Sequence, residues 1–131
     1  MKTYNKHTTI RMIMQRDPQQ FPADENGDVL WQMALDGDDL TEIREIDFTL
    51  IFPDQSQAEQ SALHLLRQEQ KVSLYQEDEE GDLLWEVVVH ITMPPDYAEI
   101  VEIETWLKQV ALQFSGQYDG WGCMAWVDIE S

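Results

Sequence analysis

Arg44-Glu45-Ile46-Asp47-Phe48-Thr49-Leu50-Ile51-Phe52 is the stretch on which the fold turns. Ile46, Phe48, Leu50 and Phe52 point one way, and Asp47, Thr49 and Ile51 the other, which is the period-two pattern of a strand with one face in a core. Pro53 stops it, because proline has no N–H to give to a ladder. Just downstream, Ser56 with Glu59 three residues on has the form of a capping box. Ala58, Ala62, Leu65 and Leu66 then mark a helical face running to about Glu69. Lys71–Tyr75 reads as a short strand with Val72 and Leu74 on one side. The run Glu77-Asp78-Glu79-Glu80-Gly81-Asp82 is expected to be a solvated turn. Residues 83–93 form the longest strand pattern, with Leu83, Trp85, Val87, Val89, Ile91 and Met93 on one face. Leu84 and Val88 on the other predict cover on both sides, hence a central position.

Pro94-Pro95 ends that strand, and Asp96 with Glu99 is a second cap pair. Ile100, Ile103, Leu107, Val110, Ala111 and Phe114 recur at helical spacing until Gly116 closes the run. Residues 117–127 read as a last strand. Gly120 and Gly122 interrupt it, which points to a bulge or a close backbone approach, and Cys123, Ala125 and Val127 alternate after them. The order is β-α-β-β-α-β. It predicts an α+β, ferredoxin-like sandwich: a four-stranded antiparallel-type sheet with two helices on one face. Strands 44–52 and 83–93 suit its centre, and the right-handed crossover rule is read as making them parallel neighbours.

Upstream, Asn26-Gly27-Asp28 precedes Val29, Leu30, Met33 and Ala34, an apolar face at helical spacing that Gly37 is suited to end. Asp36, Asp38 and Asp39 fall at or beyond that helix's C-terminus, where negative charge opposes the dipole. They are no aid to the helix and so become candidates for binding a partner. Residues 26–131 are expected to form one domain with this short leading helix, and residues 1–25 a basic N-terminal extension. Thr8–Met14 has some strand character, and the prolines within residues 17–22 break any regular element there.

Charge narrows the function. The 131 residues hold 26 acidic and 8 basic side chains, a net charge of −18, with 43% hydrophobic residues, an ordinary globular proportion. Four of the basic residues (Lys2, Lys6, Arg11 and Arg16) precede the first acidic one, so the body of the chain is more acidic still. Such a surface repels phosphate backbones and anionic lipid heads, which argues against nucleic acid or membrane as a direct partner. It favours a basic, Arg-rich protein segment. An acidic mimic of nucleic acid that fills a basic groove is a weaker variant of the same idea. One cysteine, Cys123, excludes an internal disulfide and a multi-cysteine metal cage. No apolar run is long enough to span a bilayer, and the first residues lack a secretory pattern, so a cytoplasmic protein is expected.

Several of these segments also carry a resemblance. Asn26-Gly27-Asp28-Val29-Leu30, Asp36-Gly37-Asp38-Asp39-Leu40, Arg44-Glu45-Ile46-Asp47-Phe48 and Phe52-Pro53 come in that order. Tyr118-Asp119-Gly120-Trp121-Gly122 follows directly after the second long helix. Together they resemble the bacterial regulator of ribonuclease activity B family over roughly residues 26–126. The resemblance implies a ferredoxin-like α+β sandwich, in agreement with the element order. It also implies a small modulator of RNA decay without catalysis of its own, since the best-known members inhibit ribonuclease E by binding its C-terminal scaffold region. Those members carry an acidic C-terminal tail and lack the N-terminal extension.

Catalytic and metal-binding patterns are sparse. His64, His90 and His7 fit no HExxH-like spacing. Cys123 beside two glycines reads either as a reactive thiol or as a small buried strand residue. An EF-hand reading places Met33 or Ile43 where the last Glu is required, so no metal, cofactor or enzymatic activity is expected. Asp119, Gly120, Trp121 and Gly122 stand out. Structurally, the glycines let an edge strand kink while Trp121 packs over a helix end. Functionally, an aromatic beside carboxylates at a sheet edge suits an Arg-bearing peptide. The competing reading of the whole chain is a small-ligand or catalytic domain with a pocket between the sheet and the added helix. Edge strands 71–75 and 117–127 leave a homodimer open.

Overall fold

The alternation at 44–52 becomes strand β1 (Arg44–Phe52), in which Ile46, Phe48, Leu50 and Phe52 are fully buried and the residues between them are not. The computed structural model describes residues 15–79 and 82–125. Around β1 come α1 (Glu25–Leu35), α2 (Gln55–Leu66), β2 (Lys71–Glu79), β3 (Asp82–Met93), α3 (Tyr97–Gln113) and β4 (Gln117–Cys123). The strands form one sheet in the order β2-β3-β1-β4, with every neighbouring pair antiparallel. Leu30, Leu65, Ile100 and Leu107 from the helices join the buried faces of β1 and β3 in one core cluster. This is the expected α+β arrangement, of ferredoxin-like order, with α1 added.

Strand direction differs from the expectation. β1 and β3 are antiparallel neighbours, Arg44 facing Met93 and Phe52 facing Trp85. The crossover rule governs strands joined through a helix, namely β1 with β2 and β3 with β4. Each of those pairs is parallel with one strand inserted between them. Because β2 and β3 form a hairpin, the inserted β3 has to run against β1. The hairpin is also longer than expected: Glu77 and Asp78 pair with Leu84 and Leu83 rather than forming a turn. On an edge strand the backbone ladder is indifferent to acidic side chains that stay in water.

Other differences are local. Asp54, not Ser56, caps α2, its carboxylate accepting from the Gln57 N–H at 3.3 Å. Ser61 is buried on that helix, while Leu66 is half exposed. Asp96 caps α3 as expected. Gly37 takes a φ of 93° after α1, but after α3 it is Ser115 that turns left-handed, with a φ of 63°. Gly116 is required for another reason: a Cβ there would stand 2.3 Å from the Phe52 ring. β4 ends at Cys123, and Met124 and Ala125 follow as exposed, non-strand residues. Trp126, Val127 and the strand character of Thr8–Met14 lie outside the described residues. Val88 is buried on the face opposite the core, flanked across the sheet by Thr49 and Ser73. β3 is therefore internal without a helix on that side among the described residues. No described helix is long and apolar enough to cross a membrane.

Candidate functional site

The two halves of the sequence that stood out, residues 26–52 and 118–122, meet along the β1–β4 ladder. Phe48 faces Trp121, Asp47 faces Gly122 and Thr49 faces Gly120, after which the register slips between Thr49 and Leu50. Asp119 is the bulged residue. The slip leaves Tyr118, Trp121 and Cys123 on the helix side of the sheet, and Gly120 and Gly122 on the open side.

On the helix side, polar groups are spent on one another. The Trp121 indole N–H donates to Asn26 Oδ1 at 2.8 Å, and Asn26 Nδ2 donates to Glu104 Oε1 at 2.6 Å. The other Glu104 oxygen accepts from the Tyr118 hydroxyl. Burial, reinforced by that carboxylate, pushes the Tyr118 phenol well above its ordinary range. Asp24 caps α1 by accepting from the Gly27 N–H at 2.8 Å and also takes the Tyr97 hydroxyl. The Tyr97 bond, then the Gly27 bond, holds the Asp24 carboxyl below its usual value. A cleft of about 700 Å³ between α1, α3 and β4 is lined by these same residues. It occupies the place expected for a pocket beneath the added helix.

Asp36, Asp38 and Asp39 separate. Asp38 faces inward with 1% of its side chain exposed, and both its oxygens accept from Arg44 Nη1, at 2.8 and 2.9 Å. In this geometry its role is an internal ion pair. Asp39 Oδ1 accepts from the Thr41 hydroxyl at 2.6 Å and from the Thr41 N–H, two bonds that lower its pKa. Asp36 is exposed at the end of α1 and accepts from Gln32. Arg44 ties the segment to β4: its guanidinium also donates to the Asp39 carbonyl at 2.6 Å and the Met124 carbonyl at 3.2 Å. The sequence reading missed Arg44, because a charge opening a strand reads as exposed. Beside it, burial pushes the half-buried Cys123 thiol up against the opposing pull of Arg44.

The open side of the sheet is different. Glu45, Asp47 and His90 project there from the two central strands. Lys71 Nζ lies 2.8 Å from Glu45, His90 Nδ1 lies 2.7 Å from Asp47, and His90 Nε2 meets Ser73 Oγ at 2.8 Å. The donor atoms of Glu45, Asp47 and His90 lie within 4.8 Å of one another, so this trio could hold a divalent cation. The sequence hides the trio, since its members are brought together only by the register that sets Asp47 opposite His90. Toward β4 the same face opens into a cleft of about 780 Å³ that includes Glu45, Asp47, Thr49, Asp119, Gly120 and Gly122. The remaining basic residue of the early cluster that is described, Arg16, is committed elsewhere: it bonds the Phe21 and Pro22 carbonyls and Asp28.

Compared with known proteins, residues 23–123 match the family model described as regulator of ribonuclease activity B. The match runs from just before α1 to the last residue of β4. No curated protein matches the chain.

Proposed function

The chain belongs to the regulator of ribonuclease activity B family, and from that premise we propose that it is an acidic, non-catalytic binding module that inhibits a ribonuclease E-type enzyme by engaging a basic segment of its scaffold region. The observation that carries this reading is the family match, joined to a net charge of −18. A protein this acidic approaches a basic tract quickly and rejects acidic competitors. Its surface disfavours direct contact with RNA, so regulation acts through the protein partner, in the cytoplasm where RNA decay proceeds. The alternative of a small ligand under α1 has weaker support, because Asn26, Glu104, Tyr118 and Trp121, which line that cleft, already bond to one another.

The test is a ribonuclease E-type cleavage assay, with calorimetry against an Arg-rich scaffold peptide. Cleavage is expected to slow as the chain approaches stoichiometry with the enzyme, and peptide affinity to fall steeply as salt is raised, since exposed charge pairs are screened. Unchanged cleavage, or binding indifferent to salt, overturns the proposal.

A further inference from the structure

Three regions carry chemistry: the cleft under α1, whose lining is the internal network itself, the Glu45–Asp47–His90 trio, and the groove along the open side of β4. The groove carries an inference furthest. It exists because two residues of β4 have no side chains. Gly122 sits opposite Asp47 and Gly120 opposite Thr49, and a Cβ built on either glycine meets nothing within 4 Å. Neighbouring strands stand about 4.8 Å apart, so two side-chain-free positions leave a channel one strand wide, running from the sheet edge to β1. β4 is an edge strand, with no strand beyond it among the described residues, and the channel can be entered from that side.

The walls of the channel are acidic. Asp47 and Glu45 lie at its inner end and Asp119 at its rim. Arg44 borders it too, but is buried and committed to Asp38. Asp47 is half exposed and uses Oδ1 toward His90 from the β3 side, which leaves the carboxylate approachable from β4. Glu45 already holds the Lys71 ammonium, an internal example of this face collecting a nitrogen cation.

We propose that this glycine-floored channel is the seat for an arginine side chain of the basic partner segment, its guanidinium pairing with Asp47 and Asp119. This rests on the regulator reading and names the surface that serves it. A flat guanidinium can lie on bare glycine backbone and offer N–H groups to carboxylates on two sides, whereas a lysine ammonium offers one point charge. A divalent cation held by Glu45, Asp47 and His90 is the competing occupant, and Lys71, already on Glu45, opposes it electrostatically.

The full chain, isotopically labelled, is titrated with an uncharged-end Arg-Gly repeat peptide, its Lys-Gly counterpart and Zn²⁺ alone, followed by amide shifts and calorimetry. The Arg peptide is expected to move the amides of residues 45–49 and 119–123 and to bind more tightly than the Lys peptide. Gly122→Val fills the channel with no backbone clash, and it is expected to melt like the parent and to lose at least about tenfold in affinity, roughly 1.4 kcal/mol. Asp47→Asn is expected to lose affinity as well, and Glu102→Gln, on α3, to bind as the parent does. Shifts scattered over the acidic surface, or parental affinity in Gly122→Val, overturn the assignment. So does one-to-one Zn²⁺ binding abolished by His90→Ala without arginine-induced shifts in the channel. The two proposals fail separately. If Gly122→Val still slows the ribonuclease, the channel is wrong and the regulator reading stands. If the parent chain leaves the ribonuclease untouched while the Arg peptide fills the channel, the reverse holds.

Discussion

Arg44 and Glu45 are consecutive residues of β1, and each makes an ion pair at 2.8 Å, yet the two pairs sit in different physical worlds. Arg44 points to the helix side. It and Asp38 expose 6% and 1% of their side chains, and the backbone carbonyls of Asp39, Glu42 and Met124 complete the guanidinium's bonding. Glu45 points to the open side, where Lys71 is 71% exposed. A pleated strand alternates its side chains, so one step along the chain exchanges a low-dielectric setting for water. The same division recurs on β4, where Trp121 is bonded inward and Gly122 faces a bare channel. One side of each strand thus locks α1, the 36–39 segment and the sheet together, while the other side faces solvent with Glu45 and Asp47 on β1 and bare glycine on β4.

The sharpest way to break this comparison is to remove the inner charge. Arg44→Met takes the guanidinium away from the buried Asp38 carboxylate, and a loss of about 3–5 kcal/mol is expected on urea unfolding. Converting both partners, Asp38→Leu with Arg44→Met, is expected to recover most of that loss, since no buried charge then remains unpaired. If Arg44→Met unfolds at the parental urea concentration, the pair is not the lock described.

A smaller effect is expected one rung along. Trp121→Phe keeps an aromatic ring against the core but removes the N–H that Asn26 accepts from. Leaving a half-buried acceptor without its donor costs about 1–2 kcal/mol. Because Asn26 also donates to Glu104, the Tyr118 hydroxyl resonance is expected to shift as well. A change confined to residue 121 would show that Trp121, Asn26, Glu104 and Tyr118 do not act as a network.

These junctions mark where sequence reasoning ran out. Periodicity located β1, β3 and α3 because each carries a long apolar pattern on one face. It could not assign strand direction, which is set by how the β2–β3 hairpin inserts between strands that no short connection joins. The capping box read at Ser56 and Glu59 missed Asp54, an equally good cap two residues earlier, where the extended backbone sets the start of α2. Gly120 and Gly122 were legible as an irregular strand, but not the channel they leave, which depends on which residues of β1 they face. The Asn26–Trp121 and Asn26–Glu104 bonds span 95 and 78 residues, beyond any local pattern. Asp38 looked available for a partner because, with Asp36 and Asp39, it falls at or beyond the C-terminus of α1, where a carboxylate does not help the helix, and nothing in the local sequence announces the guanidinium that buries it.

The smallest effect belongs to the outer pair. The Lys71 hydrogen bond, then burial in the opposite sense, sets the Glu45 carboxyl below its ordinary value, and the same bond raises Lys71. The signs follow from linkage. The Glu45 contribution is full above the ordinary glutamate pKa and fades as pH falls through the depressed value. The Lys71 contribution is full below the ordinary lysine pKa and fades as pH rises through the raised one. Between those limits the pair is intact, but both side chains stand largely in water, where salt screens it. Lys71→Met is therefore expected to leave the melting temperature at neutral pH and moderate salt nearly unmoved, while carboxyl NMR shows Glu45 titrating at a higher pH than in the parent. A large drop in melting temperature would mean that the open face holds the sheet together as the inner face does, and the division between the two sides of β1 would fail.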